Sequence, residues 1–176
     1  MKKALVLAAF VASAGSAMAD VELFNGNTTG GPTYNRVLTG NPPTGLSGVG
    51  TAVAYQVVPM YTNINASVVF EITAAASGYD TFMTLYGPGG FNPLAALTNA
   101  VVADDDAGVG SNSLFSANLT GGAQYYVVVS GFDNADFGTY TLQMSSSSAD
   151  ITIGNIPAPS ALALLGVAGL AARRRR

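Results

Sequence analysis

Val68-Val69-Phe70-Glu71-Ile72-Thr73 alternates, with Val68, Phe70 and Ile72 on one side and Val69, Glu71 and Thr73 on the other. A period of two marks a strand with one buried face, because successive side chains leave opposite sides of the pleat. Thr139-Tyr140-Thr141-Leu142-Gln143-Met144 repeats the pattern, with Tyr140, Leu142 and Met144 expected inward. Residues 81–86, 113–119 and 125–130 are similarly short and rich in β-branched or aromatic side chains. Residues 53–58 form a further expected strand, stopped by Pro59. Gly87-Pro88-Gly89-Gly90, residues 108–112 and Gly121-Gly122 punctuate these runs. Short strands at such spacing predict an all-β fold, an antiparallel sandwich or barrel.

The rest of the body is harder to read. Residues 25–50 contain Gly30-Gly31-Pro32 and Asn41-Pro42-Pro43, so loops are expected there, with one edge strand near 34–38. Residues 146–155 read as a polar linker. The β domain is therefore expected over 20–145, long enough for a core of its own.

The two ends differ from the body. Lys2 and Lys3 precede an apolar run and Ala17-Met18-Ala19, the layout of a secretory signal peptide over 1–19 with cleavage between Ala19 and Asp20. Residues 156–176 carry Pro157-Ala158-Pro159, an apolar run of 13 residues from Ser160 to Ala172, and Arg173, Arg174, Arg175 and Arg176. As a helix that run spans about 20 Å, against the roughly 30 Å of a bilayer core. It predicts a marginal span, and the arginines place the body on the side away from the cytoplasm.

Charge narrows the partners. The whole chain has a net charge of -3, but six of its seven bases lie in the ends. Between Asp20 and Asp150, ten acids face the single base Arg36, a net charge of -9. Phosphate-backbone binding needs clustered Lys and Arg, so nucleic acid is excluded as a partner. Histidine and cysteine are absent, and the mature body holds no lysine. That removes the triad chemistries, zinc sites built on His or Cys, and disulfide staples. A carboxylate-dependent hydrolase is the enzyme class left open, and the body is expected to be non-catalytic.

Calcium is the cofactor these residue types would take, since hard cations prefer carboxylate and carbonyl oxygens. Asp104-Asp105-Asp106 sits in a loop before Gly108. On an extended chain Asp104 and Asp106 would share one side, with Asp105 on the other. Asp133 and Asp136 flank a second turn, and Asp80 precedes a strand. The competing reading is ordinary turn chemistry, because Asp side chains bond nearby backbone N–H groups.

Two resemblances follow from these residues. The tail, with Pro157-Ala158-Pro159, Leu162-Ala163-Leu164-Leu165-Gly166 and Arg173 to Arg176, resembles a PEP-CTERM sorting signal, with Ala158 where that pattern has glutamate. The resemblance implies processing by an exosortase, a membrane-embedded cysteine transpeptidase. It also implies transient anchoring in the inner membrane, then delivery to the surface of a Gram-negative-type envelope beside exopolysaccharide and biofilm matrix. The body resembles bacterial pre-peptidase C-terminal domains, which are β-sandwiches of jelly-roll type. The residues that carry this are Tyr79-Asp80-Thr81, Leu85-Tyr86, Asp104-Asp105-Asp106, 113–119, 125–131 and Gly138-Thr139-Tyr140-Thr141-Leu142. Some relatives in that family bind calcium. The expected function is a non-catalytic, surface-sorted structural or adhesive protein. The alternative is a calcium-dependent polysaccharide- or protein-binding module.

Overall fold

A computed structural model describes residues 19–157. The signal segment up to Met18 and the tail from Ala158 onward lie outside the described residues. Ten strands are present: β1 (Asp20–Asn27), β2 (Thr33–Tyr34), β3 (Val53–Thr62), β4 (Ala66–Ala75), β5 (Thr81–Tyr86), β6 (Ala100–Asp104), β7 (Leu114–Leu119), β8 (Tyr125–Gly131), β9 (Thr139–Ser146) and β10 (Ile151–Ile153). No helix occurs among the described residues, and so none long and apolar enough to cross a membrane.

All pairings are antiparallel and fall into two sheets. One has the order β1-β9-β4-β7; the other runs β10-β3-β8-β5-β6, with β2 also pairing β3. Their facing sides enclose the main core. Phe70, Ile72, Leu142 and Met144 from the first sheet meet Met60, Met83, Leu85 and Val127 from the second. These are the residues that the alternation in β4 and β9 assigns inward, and the packing of Phe70 on Phe115 (centroids 5.2 Å apart) belongs to the same layer. Truncating a buried phenylalanine of this kind costs about 3–5 kcal/mol.

The second sheet is buried on both sides. All six residues of β5 are buried, because residues 33–50 and 87–99 cover its outer face. Tyr34, Val37, Phe82, Tyr86, Ala96 and Val128 form a second cluster there. Phe91 packs edge-on against Tyr34 and Tyr55, each pair at 5.1 Å. The stretch read as loops is thus the lid of a second apolar layer, and its single edge strand is the two-residue β2.

Two boundaries differ from the sequence reading. β3 continues through Pro59 to Thr62. The Pro59 carbonyl accepts from Gly154 N at 2.8 Å, so its ring nitrogen points the same way, away from β8, and the β8 ladder loses no donor. Residues 146–155, expected as a linker, carry the end of β9, a turn and β10. Ile151 is buried, and β10 pairs Ile151, Thr152 and Ile153 with Thr62, Tyr61 and Met60.

Register divides the sandwich into two poles. Asp20 stands opposite Ser146, and Asn27 opposite Thr139. The first pole holds the start of β1, the β3–β4 and β7–β8 turns, and β10. At the opposite pole lie the end of β1, the turn from Ala76 to Asp80, the loop after β6 and the loop after β8. Tyr79 stitches that second pole across the sheets, accepting from Thr28 Oγ1 at 3.2 Å and donating to the Ser130 carbonyl at 3.0 Å.

Candidate functional site

The loop from 104 to 113 is built by Asp104. Its Oδ2 accepts from the backbone N–H of Ala107 at 3.1 Å and of Leu114 at 3.0 Å, closing the loop onto β7. Gly108 N donates to the Asn112 carbonyl at 2.8 Å, and a Cβ on Gly108 would stand 2.5 Å from that oxygen. Glycine is therefore required at this approach. Ser113 then fixes the loop to β5, donating from Oγ to the Thr81 carbonyl at 3.0 Å and from N to Thr81 Oγ1 at 2.9 Å.

That anchoring sets Asp105 and Asp106 beside Asp80, the residue just ahead of β5. One carboxylate oxygen from each of Asp80, Asp105 and Asp106 lies within 4.8 Å of the others. Asp80 and Asp105 are half-buried and Asp106 is exposed. Asp80 Oδ1 and Asp105 Oδ1 are individually buried without a hydrogen-bond partner. The grouping differs from the extended-chain alternation, which paired Asp104 with Asp106. β6 ends at Asp104, the chain turns there, and the Asp104 carboxylate is occupied by two backbone N–H groups.

Asp133 and Asp136 serve their own turn. Asp136 Oδ2 accepts from Asp133 N at 2.9 Å, and Asp133 Oδ1 accepts from Ala135 N at 2.6 Å. The structure thus brings Asp105 and Asp106 to Asp80 and leaves Asp104, Asp133 and Asp136 as loop-forming groups around them. Of the expected sorting-motif residues only Pro157 is described; Ala158, Pro159 and the four arginines are not. At the other end, Asp20 is the first residue of β1 and Ala19 directly precedes it.

Arg36 supplies the local positive charge. It is buried, donating from Nε to the Phe132 carbonyl at 2.8 Å and from Nη1 to the Val37 carbonyl at 3.0 Å. Its guanidinium carbon stands 4.0 Å from the centre of the Phe82 ring and 4.7 Å from that of Phe132. Burial lowers its pKa, while Asp105 and Asp80 act in the opposite sense. Asp105 is pushed up to about 6, first by burial and then by the charges of Asp106 and Asp80, against the pull of Arg36. Asp80 is raised for the same reasons, burial first and then Asp106. One guanidinium, spent on two backbone carbonyls, thus acts on Asp105 and Asp80 while Asp106 adds a third negative charge, an imbalance that a divalent cation would relieve.

The geometry suits such an ion. Calcium binds oxygens at about 2.3–2.6 Å, so ligand oxygens across its shell lie about 4.6–5.2 Å apart. The spread of 4.8 Å or less falls within that sphere. Carbonyls or water would complete the six to eight ligands calcium takes. Toward the same pole, a groove of about 550 Å³ has a mostly apolar lining that includes residues 74–76 and Tyr140, with the uncharged polar side chains of Asn25, Asn27, Gln56, Thr139 and Thr141 among it.

Sequence reasoning noted Asp80 and Arg36 without joining them to the loop. The usable clue was hairpin pairing: β5 and β6 are antiparallel neighbours with Met83 opposite Asp104, which folds the residue before β5 onto the residues after β6. No protein-family model matches this chain, and no curated protein matches it.

Proposed function

We propose that the chain is an exported, non-catalytic β-sandwich of jelly-roll type, related to bacterial pre-peptidase C-terminal domains. A PEP-CTERM-type tail sorts it to the cell surface or extracellular matrix. The observation that carries this reading is the pairing of a secretory N-terminus with Pro157-Ala158-Pro159, an apolar run and Arg173 to Arg176, around a body of charge -9 without histidine or cysteine. An exosortase-type enzyme acts on the tail while the inner membrane holds the precursor. The mature body then serves as a structural or adhesive component beside exopolysaccharide. Further support comes from the exits of the body: Ile151 N donates to Asp20 Oδ2 at 2.7 Å and Ile156 N to Gln124 Oε1 at 2.7 Å, which places both ends toward the pole that holds the β7–β8 turn. Deleting Arg173 to Arg176 is expected to abolish surface delivery in fractionated cells, and unchanged delivery would refute the reading.

A second reading, a calcium-dependent binding module, is favoured by one observation: the convergence of Asp80, Asp105 and Asp106 with two buried, unpartnered oxygens. The groove toward that pole mixes apolar surface with amide and hydroxyl groups, a lining that suits the C–H faces and hydroxyl groups of a polysaccharide. Calorimetry of the full-length protein with millimolar calcium should release or absorb heat and raise the melting midpoint. Neither effect would occur if the cluster holds no ion.

A further inference from the structure

One side chain clasps the segment that leads out of the body. Gln124, in the turn before β8, shares its two Nε2 hydrogens among the carbonyls of Met60, Tyr125 and Gly154 at 3.0, 3.2 and 3.2 Å. Its Oε1 accepts from the Ile156 N–H at 2.7 Å. A single amide thereby ties β3 and β8 to both sides of Asn155. Behind it the chain is held again: Gly154 N donates to Pro59, and Asp150 and Asn63 exchange bonds of 2.7 and 3.0 Å. The ordered body therefore runs without slack to the residue before Pro157-Ala158-Pro159.

An enzyme that cuts near that motif must bind backbone on both sides of the cut as extended chain, and it does so by bonding N–H and C=O groups. Proline has no N–H. Within residues 156–159 the only backbone donors are therefore those of Ile156 and Ala158, and Gln124 already holds the first. It also holds the Gly154 carbonyl, the next group back. We propose that Gln124 is a gate on tail processing, withholding residues 154–156 from the enzyme until the clasp opens. The proposal rests on the sorting reading above. In the step that is gated, the enzyme's thiolate attacks a backbone carbonyl, a C–S bond forms and the C–N bond breaks. The departing nitrogen takes up a proton and the tail leaves as an amine. Water or an acceptor amine then attacks the thioester, loses a proton, and the C–S bond breaks to return the thiolate.

The test uses the full-length chain in its own host, with the C-terminus followed by intact mass through a chase. Two ordinary hydrogen bonds hold the exit segment, so Gln124→Ala is expected to speed tail loss and exchange of the Ile156 amide about tenfold or more. Gln124→Met keeps the side-chain volume and should behave alike, which guards against a folding defect in the alanine variant. Melting of each variant reports whether the body is intact. Tail loss at the wild-type rate, or slower, in an intact variant overturns the gate. Arginines kept throughout the chase by the wild type and by both variants overturn the sorting reading, and the gate with it.

Discussion

Asp105 differs from its neighbours because its carboxyl is enclosed while Asp106 stands in solvent. Its folded pKa of about 6 lies above the ordinary aspartate value of about 3.9. Folding therefore favours the protonated form, and the stability this brings is complete below about pH 4 and lost as pH rises through about 6. Without divalent cations, the melting midpoint should fall as pH rises from 4 to 7. Asp105→Asn, which is neutral throughout, should flatten that slope and melt above wild type at pH 7. An equal slope in both proteins would show that the cluster does not strain the fold. Arg36 explains why the cluster is tolerable at all. Its stacked guanidinium gives the carboxylates a fixed positive neighbour that no long, mobile lysine could match in geometry.

At the level of elements, the alternation in β4 and β9 was readable because each has one wet and one dry face. β1 hid for the opposite reason. Its exposed side carries Val21 and Leu23, each more than half exposed, while Glu22 turns toward the half-buried side. An edge strand with an inward charge resists pairing with another chain, and it inverts the pattern by which strands are recognised. β6 and β10 are five and three residues long, too short to show a period. β10 is also polar in its approach, which made residues 146–155 resemble a linker. Its contribution is measurable. A chain ended after Ser146 should melt well below one ended after Ile156, because it loses the β3 pairing and the buried Ile151 side chain, worth about 1.5–3 kcal/mol by itself. Equal midpoints would make that segment the tether its composition suggests.

At the level of the molecule, the all-β class and the existence of an acidic loop were legible, and the membership of the site was not. Spacing along the chain says that Asp104, Asp105 and Asp106 are near one another. It cannot say which carboxylate the backbone itself consumes, and here Asp104 closes the loop while Asp80, 25 positions upstream of Asp105, takes its place. Long-range pairing decides such cases: adjacency of β5 and β6 as sequential strands was the one clue available, but they are joined by a 13-residue crossing over the outer layer that leaves their register open. The covering of the second sheet was hidden for a related reason, since residues 33–50 gain their burial from a surface that other strands create.

The separation of the two poles has a mechanical meaning. β9 runs eight residues from one to the other, a distance of about 25–30 Å at the rise of an extended strand. A copy tethered by its C-terminal end would act as a short post with its carboxylates on the far tip. At physiological salt that reach is about three screening lengths, so the tip is electrically independent of whatever surface the post stands on. Ions recruited there would answer to the composition of the surrounding medium, and contacts made through them would join tip to opposing surface rather than post to neighbouring post.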